Sequence, residues 1–433
     1  MNTNKRLLAA FGLALLWGAQ PLLAQDQPHV FKGARIIPIT GQPIENGVLV
    51  VQKGKILAVG SASQVKVPKG AVEFDVTGKV LMPGLVDTHS HLGEGSGGDG
   101  SSAIHADVRI IDGINPISDS FKRALAGGIT TLNVMPGSGH LMSGQTVYLK
   151  MREGNTIGDL TFCDDVINGI CGGMKMANGT NPMKAAPFPG TRAKSAAMVR
   201  QLFLDAQSYN NKIKAAKGKA DKMPEAKPQL NPLVEVLDGK RIVHFHTHRY
   251  DDILTAIRLQ KEFGFKLVLH HVSEAWKAAD EIAKAGVAAS IITLDSPGGK
   301  TEAVDLSNTN GMALEKAGVL TAFHTDDGIT DSRLFIRNVS LAVRAGMSRD
   351  KALEALTIAG AKMLELDKQV GSLEKGKDAD FVILSGEPFS VYTKVEQTWV
   401  EGKKRFDLSN PEDKKFAVGG YEAYQGSLHY HMD

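Results

Sequence analysis

Leu81-Met82-Pro83-Gly84-Leu85-Val86-Asp87-Thr88-His89-Ser90-His91 is an apolar run that closes on two histidines one residue apart. Strand side chains alternate faces with a period of two, so His89 and His91 point the same way from one strand end, with Asp87 below them on that face. Two imidazoles on one rigid element make half of a metal site. The other half must come from other strands.

The pattern changes on either side of this stretch. Upstream, residues 47–60 read as two strands joined by a turn at Lys53-Gly54, and so small a hairpin cannot bury itself. Segments of the same character recur at 380–384 and 398–406, so both chain ends are expected to meet in one small β domain, a β-sandwich. Downstream, short apolar runs at 128–135, 241–248, 266–271, 287–292 and 319–326 alternate with helical segments near 252–263, 274–285, 311–316, 332–345 and 349–364. In the first of these helices Ile253, Ala256, Ile257, Leu259 and Phe263 keep helical spacing and can pack on a sheet. The class is α/β, and about 290 residues of such alternation suit a (β/α)8 TIM barrel.

The expected division is a signal peptide over 1–24, the N-terminal part of the sandwich over 25–80, the barrel over 81–370, and the rest of the sandwich with a tail over 371–433. Residues 211–229, rich in Lys, Ala and Pro, read as an exposed insertion whose basic run is a solvated face.

The leader rests on Lys5 and Arg6, the apolar run from Leu7 to Ala19, and a small residue at Ala24 before Gln25-Asp26-Gln27-Pro28. That run falls short of the roughly 20 residues that span a bilayer, so no membrane anchor is expected after processing, and the mature chain should be periplasmic or secreted. Cleavage removes two of the 50 basic residues and none of the 47 acidic ones, leaving a net charge of about +1. So small a charge gives no long-range pull toward nucleic acid or anionic membranes. Cys163 and Cys171 are the only cysteines, which excludes a disulfide scaffold; they could pair or lie buried, which only their Cα separation decides, and buried thiols are the favoured reading. A monomer and a homo-oligomer are both left open.

In a barrel of this kind the active site lies at the C-terminal ends of the strands. Here strand after strand ends in a metal-ligand type: His89 and His91, Lys175, His246 or His248, His271, and Asp326. Packing alone does not call for that coincidence. His244, His246 and His248 share one strand face, so spacing does not choose among them. His270 beside His271, and Asp327 beside Asp326, read as supporting residues. His140, after the loop Met135-Pro136-Gly137-Ser138-Gly139, could meet a substrate carbonyl, and Arg249 a substrate carboxylate. Equally, Arg249 could pair with Asp251 or Asp252 at a helix start. Gly93 to Gly100 has no following Lys-Ser/Thr, so a phosphate cradle is weakly supported.

Pro83 to His91, the later histidine strands, Thr325-Asp326 and the closing Gly371-Ser372-Leu373-Glu374-Lys375-Gly376-Lys377-Asp378-Ala379-Asp380 together resemble the amidohydrolase superfamily, most closely its imidazolonepropionase-like and prolidase-like branch. The resemblance spans essentially the whole mature chain. It implies a metal-dependent hydrolase of carbon-nitrogen bonds in a small molecule. Carried over by position, it makes His89, His91, Lys175, His246, His271 and Asp326 metal ligands, with His248 beside them. Two divalent ions, zinc by their ligand types, would be bridged by a carbamate on Lys175, and Asp326 would be the general base toward a metal-activated water. Neighbouring readings are an Xaa-Pro dipeptidase or N-acyl-amino-acid hydrolase and, in another class, an inactive barrel serving as a periplasmic binding protein.

Overall fold

The structure, a computed structural model, describes residues 27–95, 98–293 and 300–419; the expected leader lies outside them. Five strands open the described chain: β1 (His29–Ile36), β2 (Ile44–Gln52), β3 (Lys55–Ser61), β4 (Val72–Asp75) and β5 (Val80–Pro83). Nine follow in the central region: β6 (Leu85–Ser90), β7 (Ile129–Val134), β8 (Met142–Gln145), β9 (Val147–Lys150), β10 (Met174–Ala177), β11 (Val243–Thr247), β12 (Leu267–His271), β13 (Ala288–Ile291) and β14 (Thr321–Phe323). The last three are β15 (Phe381–Leu384), β16 (Val395–Val400) and β17 (Lys403–Asp407). The architecture is mixed α/β, as the alternating pattern implies.

Strands from both chain ends join one eight-stranded sheet in the order β17-β16-β15-β5-β1-β2-β3, with β4 paired to β1 off that path. The fork is set at Gly33. On one side of it His29 to Lys32 pair with β4, and on the other Arg35 and Ile36 pair with β5. Gly33 has φ +89, and a Cβ there would lie 2.2 Å from Thr77 Oγ1, so only glycine admits the bend. Alternation divides the C-terminal strands between two cores. Phe381, Ile383 and Trp399 face the terminal sheet's own core with Phe31 and Leu49. Val382, Leu384, Val400 and Phe406 face the central region. The expected segment boundary at residue 81 falls inside β5, which belongs to the terminal sheet.

The central strands pair as two sheets rather than one continuous ring. A six-stranded sheet runs β14-β13-β12-β11-β10-β8, parallel throughout except for β8, and a three-stranded one runs β6-β7-β9. One segment bridges them, because β8 and β9 are separated by Thr146 alone. At the other end β14 is three residues long, and contact with β6 passes through the turn after it: Asp326 N donates to His89 O at 2.9 Å and Thr325 N to Asp87 Oδ1 at 3.1 Å.

Several local readings shift. The expected helix over 349–364 splits into Arg349–Ala355 and Ile358–Met363. The helix Arg192–Ala216 runs into the expected insertion, leaving 217–229 largely exposed. Cys163 and Cys171 are not free thiols but a disulfide, with Cα atoms 5.0 Å apart. The cause is local: Asp165 Oδ1 accepts from the amides of Ile167 and Asn168, folding the short loop back on itself. Among the described residues no helix is long and apolar enough to cross a membrane.

A buried charge cluster locks the two regions together. Lys150, fully buried at the end of β9, bonds to Asp378 and lies 3.1 Å from Asp380, both from the Lys377-Asp378-Ala379-Asp380 stretch. Burial works against the ammonium, but the two carboxylates raise the lysine's pKa above its ordinary value. Lys150→Met should therefore strand the buried Asp380, while Asp378 keeps Lys55, and cost about 3–5 kcal/mol, read as a lower midpoint in denaturant unfolding. An unchanged midpoint would mean that the cluster does not tie the regions.

Candidate metal centre

Parallel strands place their C-terminal ends on one side, and there the polar residues collect. His89 leaves β6, Lys175 sits within β10, His246 within β11 and His271 at the end of β12, with Asp326 three residues beyond β14. Lys175 is thus inside its strand, not at the strand's end. His271 (φ 68), Val272 (φ 40) and Asp326 (φ 52) all occupy left-handed backbone, which is costly for residues with a Cβ and clusters at functional sites.

Asp326 Oδ1 lies 3.2 Å from His89 Nε2 and 2.9 Å from His91 Nε2, and its Oδ2 lies 4.0 Å from His271 Nδ1. The second nitrogen of His91 meets Met135 O at 2.8 Å, which fixes that ring. Lys175 Nζ is 3.1 Å from His89 Nε2 and 3.2 Å from Met135 Sδ. His246 and His271 stack edge to face with centroids 4.3 Å apart, and His248 Nδ1 meets Ser273 Oγ at 2.7 Å.

The donor set fits a divalent ion. Three groups bring their ligand atoms within 4.8 Å of one another: His89, His271 and Asp326; His246, His248 and His271; and His89, His270 and His324. Among the described residues, the buried atoms His246 Nδ1, His248 Nε2, His271 Nε2 and Glu302 Oε1 have no hydrogen-bond partner. Leaving such atoms unsatisfied costs roughly 1–3 kcal/mol each unless something binds them.

Electrostatics agree. Burial holds His89, His246, His248, His270 and His271 well below the usual imidazole range, with the Lys175 charge adding to the effect on His89 and that of Lys300 on His246. These rings are neutral and keep a lone pair for a metal. Burial opposes ionisation of Asp326, but the facing His89 and His271 and the hydrogen bonds from His89 and His91 hold its carboxyl well below the usual range. Asp87 behaves oppositely: burial pushes it up to about 7 against hydrogen bonds from Thr325 and the His89 amide. It ties the end of β6 to the turn after β14.

His270 Nε2 meets His244 Nδ1 at 3.0 Å, and His244 Nε2 meets Tyr148 OH at 2.9 Å, so both back the cluster from below. Asp327 accepts from Ser332 N and Oγ, which makes it a loop anchor. His140 meets Asp99 O at 2.8 Å and belongs to none of the three donor groups. Arg249 lies outside them as well, in an exposed pair with Asp251 at 3.0 Å. Two residues escaped the sequence reading. His324 stands two before Asp326, a spacing that could have revealed it; Glu302 lies eleven residues past the end of β13, and no pattern marks it.

A sequence profile of the amidohydrolase family matches residues 211–406. The crystal structure of an amidohydrolase from Thermotoga maritima MSB8 is 33% identical, with 87% of this chain and 99% of that chain covered and a TM-score of 0.81. A prolidase crystallised with N-methylphosphonate-L-proline is 17% identical over 87% of this chain and 99% of that chain, with a TM-score of 0.55, a likeness of fold. Among curated proteins, amidohydrolase tasK of Hapsidospora irregularis is 24% identical over 92% of this chain but only 43% of its own length, so this chain spans less than half of that relative. With a third of the aligned residues identical across nearly the full length of a solved amidohydrolase, this chain belongs to the amidohydrolase family of metal-dependent hydrolases.

Proposed function

We propose that this chain hydrolyses the carbon-nitrogen bond of an amide or cyclic amide in a small molecule, at a divalent-metal centre built on His89, His91, Lys175, His246, His271 and Asp326. The observation that carries the reading is Asp326, a buried carboxylate kept ionised with one oxygen 2.9 and 3.2 Å from two imidazole nitrogens. Neutral nitrogens with carboxylate oxygens favour zinc. When bound, the metal acidifies a water and polarises the scissile carbonyl. Asp326 accepts the proton released in the attack and returns it to the departing amine, which otherwise leaves poorly. His91, pinned by Met135 O, and Asp87, bonded to Thr325, keep the donors oriented. On this reading the two central sheets act as one barrel-like enclosure open at the strand ends.

Zinc analysis with a panel of N-acyl amino acids, Xaa-Pro dipeptides and cyclic amides tests the proposal. Hydrolysis of a cyclic or simple amide supports it, and selective cleavage of Xaa-Pro dipeptides would move it toward the activity named for the prolidase neighbour. Binding without turnover across the panel would leave a binding protein.

We also propose export, on the strength of the basic, apolar and small-residue order of residues 1–24 and the Cys163–Cys171 disulfide, a bond that persists in oxidising compartments. N-terminal sequencing of protein from the native host should begin near Gln25. An intact Met1 on the mature protein would sink the idea.

A further inference from the structure

Glu302 is buried, 1% exposed at its side chain, and its two oxygens have different surroundings. Oε2 accepts from Thr180 N at 2.6 Å, at a turn closed by Gly179, whose φ is +75. A Cβ on Gly179 would lie 2.3 Å from that oxygen, so the backbone closes on the carboxylate only because the residue is glycine. Oε1 has no hydrogen-bond partner among the described residues and faces His246 Nε2 at 3.9 Å and His248 Nε2 at 4.0 Å.

Those distances are too long for hydrogen bonds, yet no longer than two metal-donor bonds of about 2.0–2.2 Å laid end to end. His248 Nε2 is likewise buried and unpartnered, while Ser273 Oγ occupies its Nδ1, the arrangement that leaves Nε2 as the ligand atom. Asn181 Nδ2 stands 3.2 Å from His246 Nε2. Of the neighbouring cations, Arg192 is 4.0 Å from Glu302 and already bonds Asp252 at 2.9 Å, and Lys300 stands near enough for its charge to act on His246 and His248. A buried carboxylate facing two neutral imidazoles calls for a cation between them.

We propose that Glu302 and His248 are metal ligands, forming with His246 a cation position that takes a zinc-like divalent ion. The inference rests on the metal-dependent reading above and extends it, since there His248 only stood beside the ligands and Glu302 had no part. The Glu302 carboxylate supplies negative charge that the two imidazoles cannot.

The test is zinc stoichiometry and affinity in full-length protein stripped with a chelator and titrated calorimetrically with zinc. Wild type should take up two ions. Glu302→Gln, which can still accept from Thr180 N, should lose one of them or bind it at least ~100-fold more weakly, beyond the 10- to 100-fold that removal of a mere outer partner costs. His248→Ala should weaken the same ion. If both variants bind two ions with wild-type affinity, Glu302 serves only to hold the Thr180 turn and the proposal is overturned. A wild-type chain that takes up no zinc would instead overturn the metal-dependent reading itself.

Discussion

Asp326→Asn should lower turnover by roughly 10²- to 10⁴-fold, the usual worth of a positioned acid-base group, while bound zinc stays near the wild-type level. The substitution keeps an oxygen to face His89 and His91 but removes the carboxylate proposed to accept and return a proton. Its backbone is independently fixed, because Asp326 N donates to His89 O at 2.9 Å, so the turn should survive. His271→Asn makes the contrast: it removes a nitrogen from two of the three donor groups, so metal and turnover should fall together. Zinc content and kcat measured side by side on one identified substrate separate the two roles. Equal turnover by wild type and Asp326→Asn would remove Asp326 from the mechanism.

How much of this was legible depends on whether a feature is local or tertiary. His89, His91 and Asp326 stand out because period-two alternation and an apolar run fix which strand end each belongs to. The joining of both chain ends was legible because β2 and β3 read as a hairpin that cannot bury itself, and the C-terminal strands have the same character. Alternation does not carry further than one strand, so His244, His246 and His248 looked equivalent. The structure separates them by partners: His244 turns to Tyr148 and His270, whereas His246 and His248 face Glu302. Glu302 could not be read at all, since its place is set by the Thr180 turn more than a hundred residues earlier in the chain. The pairing of Cys163 with Cys171 is open in the sequence for a similar reason, because cysteine spacing says nothing of Cα separation until the Asp165 turn is known. The strand pairing of the central region was anticipated in kind but not in closure, since the shortness of β14 follows from how tightly the chain turns into Thr325 and Asp326.

Lys175→Ala should cost one bound metal and most of the activity, and short carboxylates added to the variant should restore part of both. The motive is where the side chain sits. Lys175 is fully buried in β10, its Nζ 3.1 Å from His89 Nε2, and its charge lowers the proton affinity of His89, His244, His246, His270 and His324. An ammonium ion in that ring of imidazoles repels any dication brought to the same donors. Reaction of the neutral amine with carbon dioxide, with loss of one proton from nitrogen, forms a carbamate: an anion with two oxygens in the place of a cation. Such a group can bridge two metals, which makes a lysine, normally a poor ligand, sensible beside His89 and Asp326. An added carboxylate carries the same pair of oxygens and can occupy the space the shortened side chain leaves. Carbon dioxide dependence offers a second readout: metal uptake by stripped wild type should slow in bicarbonate-free buffer, while uptake by Lys175→Ala should not respond. If metal uptake by Lys175→Ala matches wild type, or a metal-loaded crystal structure has an unmodified Lys175 pointing away from the ions, the carbamate bridge is wrong. The ion position formed by Glu302, His246 and His248 would then have to account for the second metal alone.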